Sequence, residues 1–129
     1  MTDEMKGAAA VPRATSLARG PWRLFIAGPG AGEPAPGRDA YDRAQAELEG
    51  LGYRAVNPCG MVPAGPRGPE SVLGLALECD CVALLDGWER DKLALTVRGM
   101  ADCCGKPCHS LERWMRYAEA SRLMGVWPW

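Results

Sequence analysis

Two aspartates and a tryptophan lie close together at the end of a short apolar run. The run CVALL is followed by DGWERD, in which the acidic residues are Asp86 and Asp91 and the aromatic residue is Trp88. A carboxylate at the end of a buried strand is often placed for acid–base chemistry, and an indole ring stacks readily on a flat ligand. Structural roles are equally open, since Asp86 could cap the next helix, Asp91 could be an exposed helix residue and Trp88 could pack over a sheet edge.

Two other turns carry groups that could contact a ligand. GPGAG follows the apolar run WRLFIA, and its residues Gly28, Pro29 and Gly30 would let backbone N–H groups approach a phosphate closely. Asn57 stands before Pro58, and its amide could hydrogen-bond a sugar or a phosphate. Both segments are also common in turns that bind nothing.

Hydrophobic periodicity predicts an alternation of strands and helices. We expect helices beginning at 39 and 69, and others over 89–104 and 112–124; the predicted strands cover 22–27, 53–57, 81–85 and 107–111. Because parallel strands need crossover helices, this order predicts a small doubly wound α/β domain with four or five mostly parallel strands and helices on both faces.

Each predicted helix carries an apolar stripe that should pack on the sheet. The four stripes, in chain order, are Ala40, Ala44, Leu48 and Leu51; Val72, Leu73, Ala76 and Leu77; Leu93, Val97, Met100 or Ala101, and Cys104; Trp114, Ala118 and Leu123.

The parallel sheet predicts where the candidate residues meet. Ligands of such sheets bind outside the carboxyl ends of the strands, at the point where the strand order reverses. We therefore expect the GPGAG turn, the Asn57 corner and the segment Asp86-Gly87-Trp88 to surround one crevice.

Composition and charge narrow the classes of function. The chain has 129 residues, 47% of them hydrophobic, a formal net charge of −1 and a pI near 5.8. We expect one domain over 21–129 after a flexible tail at 1–20, with no basic field for nucleic acid. No apolar run approaches the roughly 20 residues that span a bilayer, and the first residues do not look like a signal peptide, so we expect no membrane partner and a cytoplasmic location.

Cysteines and tryptophans raise two further questions. The six cysteines are expected to be reduced thiols, most of them buried. CCGKPCH, residues 103–109, has neither a CxxC nor an HxxxH spacing, so we expect no metal. The terminal GVWPW is costly to expose to water, and we expect it to pack at a subunit interface.

Four of these segments, in this order, resemble the nucleoside 2-deoxyribosyltransferase superfamily, which includes small nucleotide N-hydrolases. They are IAGPGAG, NPC, CDCVALLDGWERD and GKPC, and the resemblance covers roughly residues 22 to 110. It implies a flavodoxin-like or Rossmann-like domain that holds a nucleoside or nucleoside monophosphate and acts on the bond between base and sugar. It also implies a homodimer in which one subunit helps complete its neighbour's site. We expect no cofactor.

The resemblance also implies a catalytic motif of the form D-G-x-x-x-D-S-G-T/A-x-x-E, which is only half present. The matching residues are Asp86, Gly87, Asp91 and Ala94. Lys92 and Leu93 replace the Ser and Gly, and Val97 stands where the final Glu would be the nucleophile. Valine cannot stabilise an oxocarbenium-like transition state, and one lost electrostatic contact commonly costs on the order of 2.7–4 kcal/mol. Val97 also fits the apolar stripe of its helix.

Three hypotheses follow. The first is a nucleoside or nucleoside-monophosphate binding protein whose N-glycosidic chemistry is altered or absent. The second is an active glycosidase or deoxyribosyltransferase that uses Asp86 and Asp91 with another carboxylate, such as Glu89 or Glu33. The third is a non-catalytic interaction scaffold whose tryptophans form the contact surface.

Overall fold

A computed structural model describes residues 22–31, 38–59 and 68–124 of the chain, without the side chains of residues 122 and 124. The predicted tail at 1–20, Glu33 and the GVWPW segment lie outside the described residues.

Strands and helices alternate in the predicted order. The strands are β1 (Arg23–Ala27), β2 (Arg54–Val56), β3 (Cys81–Leu84) and β4 (Cys108–Ser110). The α-helices are α1 (Arg38–Gly50), α2 (Gly68–Leu77), α3 (Lys92–Cys103) and α4 (Leu111–Met124), and one turn of 3-10 helix covers Trp88–Arg90. Gly52 and Gly105, which follow the ends of α1 and α3, both have positive φ, as is common for residues that stop a helix.

All four strands form one parallel sheet in the order β2-β1-β3-β4. Helix α1 contacts α4 and helix α2 contacts α3, which covers both faces of the sheet and makes a small flavodoxin-like α/β domain, as predicted. The chain leaves β1 for β2 on one side and then returns to β3 on the other side of β1. The strand order therefore reverses between β1 and β3.

The core is built around the two central strands. Leu24, Phe25 and Ile26 of β1 have no exposed surface, and the same holds for Val82 of β3. Trp114 holds α4 to this core, since its indole Nε1 donates a hydrogen bond to the Val82 carbonyl at 2.8 Å. No helix in the described ranges has the length and apolar character needed to cross a membrane.

Several stripe positions differ from the prediction. Tyr41 is buried instead of Ala40, because the large ring takes the core-facing position at the start of α1. Leu77 and Leu123 are 51% and 84% exposed, and Cys104 is exposed as well. Leu77 and Cys104 lie where their helices end, and Leu123 lies one residue before the end of α4, beyond the part of each helix that covers the sheet.

The predicted first residue of the third helix is wrong. The helix was expected from residue 89, but the α-helix begins at Lys92 after a separate 3-10 turn. Asp91 is its N-cap, because the Asp91 Oδ2 atom accepts a hydrogen bond of 2.9 Å from the Ala94 N–H. The capping role considered for Asp86 therefore belongs to Asp91.

The cysteines are less buried than expected. Cys79 and Cys81 are buried and Cys59 and Cys108 are half-buried, whereas Cys103 and Cys104 are exposed at the end of α3. Among the described residues, no three His, Cys, Asp or Glu side chains are grouped so that they could hold a metal ion.

Candidate functional site

The turns after β1 and β3 are packed directly against each other. The Leu85 N–H donates to the Ala27 carbonyl at 2.8 Å, which continues the pairing of the two strands to their ends. A Cβ atom on Gly28 would lie 2.8 Å from the Leu85 Cβ, so only glycine fits at this position without a shift of the backbone. The close approach of the two turns therefore depends on Gly28.

The second contact between these turns involves Gly87 and Pro29. Gly87 has a φ of 92°, in the left-handed region that favours glycine, and a Cβ there would also lie 3.0 Å from the Pro29 Cγ. The two segments that sequence analysis selected, Gly28-Pro29-Gly30 and Asp86-Gly87, thus form one continuous surface at the carboxyl edge of the sheet.

Asp91 joins the β1 turn to helix α3. Its Oδ1 atom accepts a hydrogen bond of 3.2 Å from the Gly30 N–H, and its Oδ2 atom accepts from the Ala94 N–H. Both carboxylate oxygens are used inside the protein. Asp91 is therefore a positioning residue for the turn and the helix.

Asn57 has a similar internal role at the end of β2. Its Nδ2 group donates to the Asp42 Oδ1 at 2.8 Å and to the Gln45 Oε1 at 3.1 Å. Its Oδ1 atom accepts from the Cys59 N–H at 2.9 Å. Asn57 lies at the predicted edge of the sheet. Its buried amide connects the turn after β2 to helix α1 through these hydrogen bonds.

A groove of about 350 Å³ opens between helices α1 and α4 at the carboxyl ends of β1 and β3. This is the point where the strand order reverses, which is the expected ligand position in such a sheet. The apolar part of the lining includes Pro29, Ala44, Leu85 and Leu111, and the polar part is formed by Tyr41, Arg43, Glu47, Asp86 and Glu112.

Charges in the groove are mostly negative. Among its described lining residues, three carboxylates, those of Glu47, Asp86 and Glu112, face one guanidinium, that of Arg43. Asp86 is exposed and therefore open to a ligand. This lining suits the hydroxyl and amine groups of a polar neutral molecule, because carboxylates accept hydrogen bonds and repel anions.

Tyr41 adds a hydroxyl that stays protonated. Burial, and then the nearby Cys59 and Asp91, raise the pKa of Tyr41 far above its ordinary value. The Tyr41 hydroxyl donates to the Pro29 carbonyl at 3.3 Å, so it supports the β1 turn from the side of α1.

Trp88 and Val97 do not line the groove. The Trp88 ring is half-buried, and the Arg98 guanidinium of α3 lies 5.4 Å from its centroid, so one face of the ring is in a cation–π contact. Val97 is 1% exposed and lies in the hydrophobic core beneath α3. Glu89 is exposed on the 3-10 turn and is not among the lining residues either.

Four polar residues of the groove were not predicted from the sequence: Tyr41, Arg43, Glu47 and Glu112. A signal was available for Glu112, because it follows β4 and the carboxyl end of a fourth parallel strand lies at the same edge as the other three. For α1 the signal is weaker. Arg43 and Glu47 are four residues apart on one helix face, but charged residues at that spacing are usually solvated.

Fold and groove together define a small flavodoxin-like α/β domain with a ligand-sized opening where its strand order reverses. Within that class, the chain belongs to the family described as "Domain of unknown function (DUF4406)", whose model matches residues 22–109, more than half of the chain. Neither the curated proteins nor the solved structures include a match to this chain.

Proposed function

We propose that this protein binds a nucleoside or a nucleoside monophosphate in the groove between α1 and α4, and that its N-glycosidic chemistry is altered or absent. The observation that supports the proposal best is the position of the groove. It lies at the reversal of strand order, next to the Gly28-Pro29 turn and Asp86, which are residues of the motifs that resemble nucleoside 2-deoxyribosyltransferases.

Size and lining favour a small, polar ligand. The groove volume of about 350 Å³ is near the lower end of the range of roughly 300–1,000 Å³ that is typical of small-molecule sites. Leu85 and Leu111 offer an apolar surface for a base, and the carboxylates of Glu47 and Asp86 offer acceptors for sugar hydroxyls.

The charge of the groove favours the nucleoside over its monophosphate. A phosphate would add about two negative charges beside the carboxylates of Glu47, Asp86 and Glu112, with the Arg43 guanidinium as the counter-charge among the described lining residues. The unphosphorylated nucleoside avoids this repulsion and keeps the hydrogen bonds to its hydroxyl groups.

A second candidate function is an active glycosidase, and one observation favours it. Glu47 and Glu112 line the same groove as Asp86, so carboxylates are present although Val97 is buried elsewhere. One of these glutamates would then take the part of the missing nucleophile, and Asp86 would act as acid or base.

A panel of nucleosides and their 5′-monophosphates, assayed for binding by calorimetry and for released base by chromatography, separates the two. Saturable binding with no base release supports the binding protein, and base release supports the enzyme. Tighter binding of nucleosides than of monophosphates supports the charge argument.

A matched pair of variants locates the site. Asp86→Asn should weaken binding by roughly tenfold, because a hydrogen bond to a charged group is lost. Glu89→Gln removes the same charge three residues away but outside the groove, so its affinity should equal that of the wild type. Equal affinities in both variants, or no binding by any member of the panel, would overturn the proposal.

A further inference from the structure

A second depression, of about 450 Å³, lies along the first half of α4, next to β4. Its described lining residues are His109 of β4 and Arg113, Arg116 and Tyr117 of α4. In contrast to the first groove, it contains two guanidinium groups and no carboxylate among these residues. Its lining chemistry is therefore cationic and aromatic.

The two arginines have no ionic partner in the part of the chain that the structure describes. Neither the Arg113 nor the Arg116 guanidinium lies within 4.0 Å of a described carboxylate, whereas Arg38 and Arg98 are paired with Asp42 and Asp102. Two exposed guanidinium groups one helical turn apart repel each other weakly, and an anion bound between them would relieve this repulsion. Such an arrangement is typical of sites that bind anions.

His109 belongs electrostatically to the same cluster. Burial and the charge of Arg113 lower the pKa of His109, so the imidazole is close enough to Arg113 to respond to it. The imidazole also lies against the Trp114 ring, with 5.2 Å between the ring centroids, and this contact fixes its position. An anion held by Arg113 and Arg116 would lie within reach of an imidazole N–H.

Tyr117 supplies a flat apolar surface beside these charges. Its side chain is 45% exposed, and its ring centroid is 6.0 Å from that of the buried Trp114, which supports it from below. A planar group attached to the anion would be able to stack on the open part of this ring.

We propose that the depression formed by His109, Arg113, Arg116 and Tyr117 is a binding site for a small phosphate monoester that carries a planar group. Arginine suits this ligand because its planar guanidinium donates two parallel hydrogen bonds to phosphate oxygens. This second site is independent of the groove that carries the proposed function, because the two share none of their described lining residues.

The chain has one histidine, so a single set of imidazole NMR signals reports on the site. Titration of the whole protein with phenyl phosphate, at constant pH and ionic strength, should shift the His109 signals in a saturable way. Methyl phosphate should bind roughly two- to tenfold more weakly, because it has no ring to stack on Tyr117. Tyr117→Ala should remove this difference between the two ligands.

Arginine variants provide the decisive comparison. Arg113→Ala and Arg116→Ala should each weaken phenyl phosphate binding by roughly tenfold or more, since each removes a charge-assisted hydrogen bond. Arg54→Ala removes an exposed arginine from β2, at the opposite edge of the sheet, and should bind as the wild type does. A linear shift without saturation, or equal affinity in all three arginine variants, would refute the site. Unphosphorylated nucleosides carry no phosphate for Arg113 and Arg116, so their binding reports on the other groove alone. A 5′-monophosphate fits both sites, and the loss of its affinity in Asp86→Asn or in Arg113→Ala shows which site it occupies.

Discussion

Asp86 and Asp91 lie in the same short segment of the sequence, but their carboxylates have different surroundings in the structure. The Asp91 carboxylate accepts hydrogen bonds from the Gly30 and Ala94 N–H groups, so a ligand would have to compete with the fold for it. Asp86 is exposed and lines the groove. The two aspartates that were paired as catalytic candidates therefore differ in availability: the Asp86 carboxylate is open to solvent in the groove, and the Asp91 carboxylate is used to position the turn.

Val97 shows how burial limits an interpretation based on a motif. The motif places a nucleophile at this position, but the Val97 side chain packs in the core with Ala94 and Ala101 on the buried face of α3. A carboxylate there would be surrounded by apolar groups. Restoring the motif by one substitution is therefore expected to damage the fold before it restores chemistry.

Val97→Glu should lower the free energy of unfolding by roughly 3 kcal/mol at pH 7, because an ionised carboxylate in the core has lost its water. Burial raises the pKa of such a carboxyl group above its usual value near 4.3. The unfolded chain then ionises first as the pH rises, so the stability deficit is largest at neutral pH and shrinks as the pH falls toward 5. Urea denaturation at pH 5 and pH 7 measures this difference.

The control for this prediction is Val97→Thr, which has nearly the same shape and no ionisable group. Its loss of stability should be smaller and the same at both pH values. If Val97→Glu also loses the same stability at pH 5 as at pH 7, its carboxylate reaches water, and position 97 is more accessible than the structure indicates.

At the scale of secondary-structure elements, the carboxyl edge of the sheet depends on how closely β1 and β3 approach each other. The Gly28 backbone contacts the Leu85 side chain without a Cβ in between, and Pro29 packs against Gly87 in the turn after β3. These contacts fix the shape of the groove from below. A change that separates the two turns should therefore affect stability and ligand binding together.

Gly28→Ala is expected to destabilise the protein by about 1–3 kcal/mol, because the new methyl group would lie 2.8 Å from the Leu85 Cβ and the backbone must move. Thermal or urea unfolding measures the loss. The same variant should also bind the groove ligand more weakly, since Pro29 and Leu85 both line the groove.

Gly99→Ala is the matched control on helix α3. A Cβ at Gly99 meets nothing within 4 Å, and alanine favours a helix over glycine, so this variant should gain about 0.5–1 kcal/mol. Equal effects of the two substitutions would mean that the turns at the carboxyl edge are loosely packed.

Most of the element order was predictable, and the reasons for the exceptions are physical. Strand β3 is recognisable in the sequence because its four residues are all apolar, and the structure buries all four. Helix α1 is recognisable because Ala44 and Leu48 repeat at helical spacing. The 3-10 turn was missed because WERDK has the charge pattern of a helix, and the cap at Asp91 becomes visible through its hydrogen bonds. Glu47 and Glu112 were missed because a groove between two helices is a property of the packing.

At the scale of the whole molecule, the end of the sheet opposite the groove carries two buried thiols, Cys79 and Cys81, and the half-buried thiol of Cys108. Burial raises the pKa of Cys79 and of Cys108 to about 11, and burial also raises the pKa of Cys81 well above its ordinary value. The positive charges of Arg23 and then Lys106 oppose this effect at Cys79, and that of Lys106 opposes it at Cys81, but they do not outweigh it. Since Cys81 begins the central strand β3, ionisation here affects the folding of the entire domain.

The free energy of unfolding should therefore fall as the pH rises from about 8.5 to 10 in the presence of a reducing agent. These thiols are protonated in the folded state, whereas in the unfolded chain they lose their protons near the ordinary cysteine pKa of about 8.5. Proton release thus favours unfolding, by about 2 kcal/mol for each well-buried thiol at pH 10. The double variant Cys79→Ala/Cys81→Ala should flatten this dependence, and Cys103→Ala/Cys104→Ala should keep it, because Cys103 and Cys104 are exposed. Urea denaturation of the three proteins across this pH range tests the prediction, and parallel curves for all three would show that ionisation of the buried thiols does not control alkaline stability.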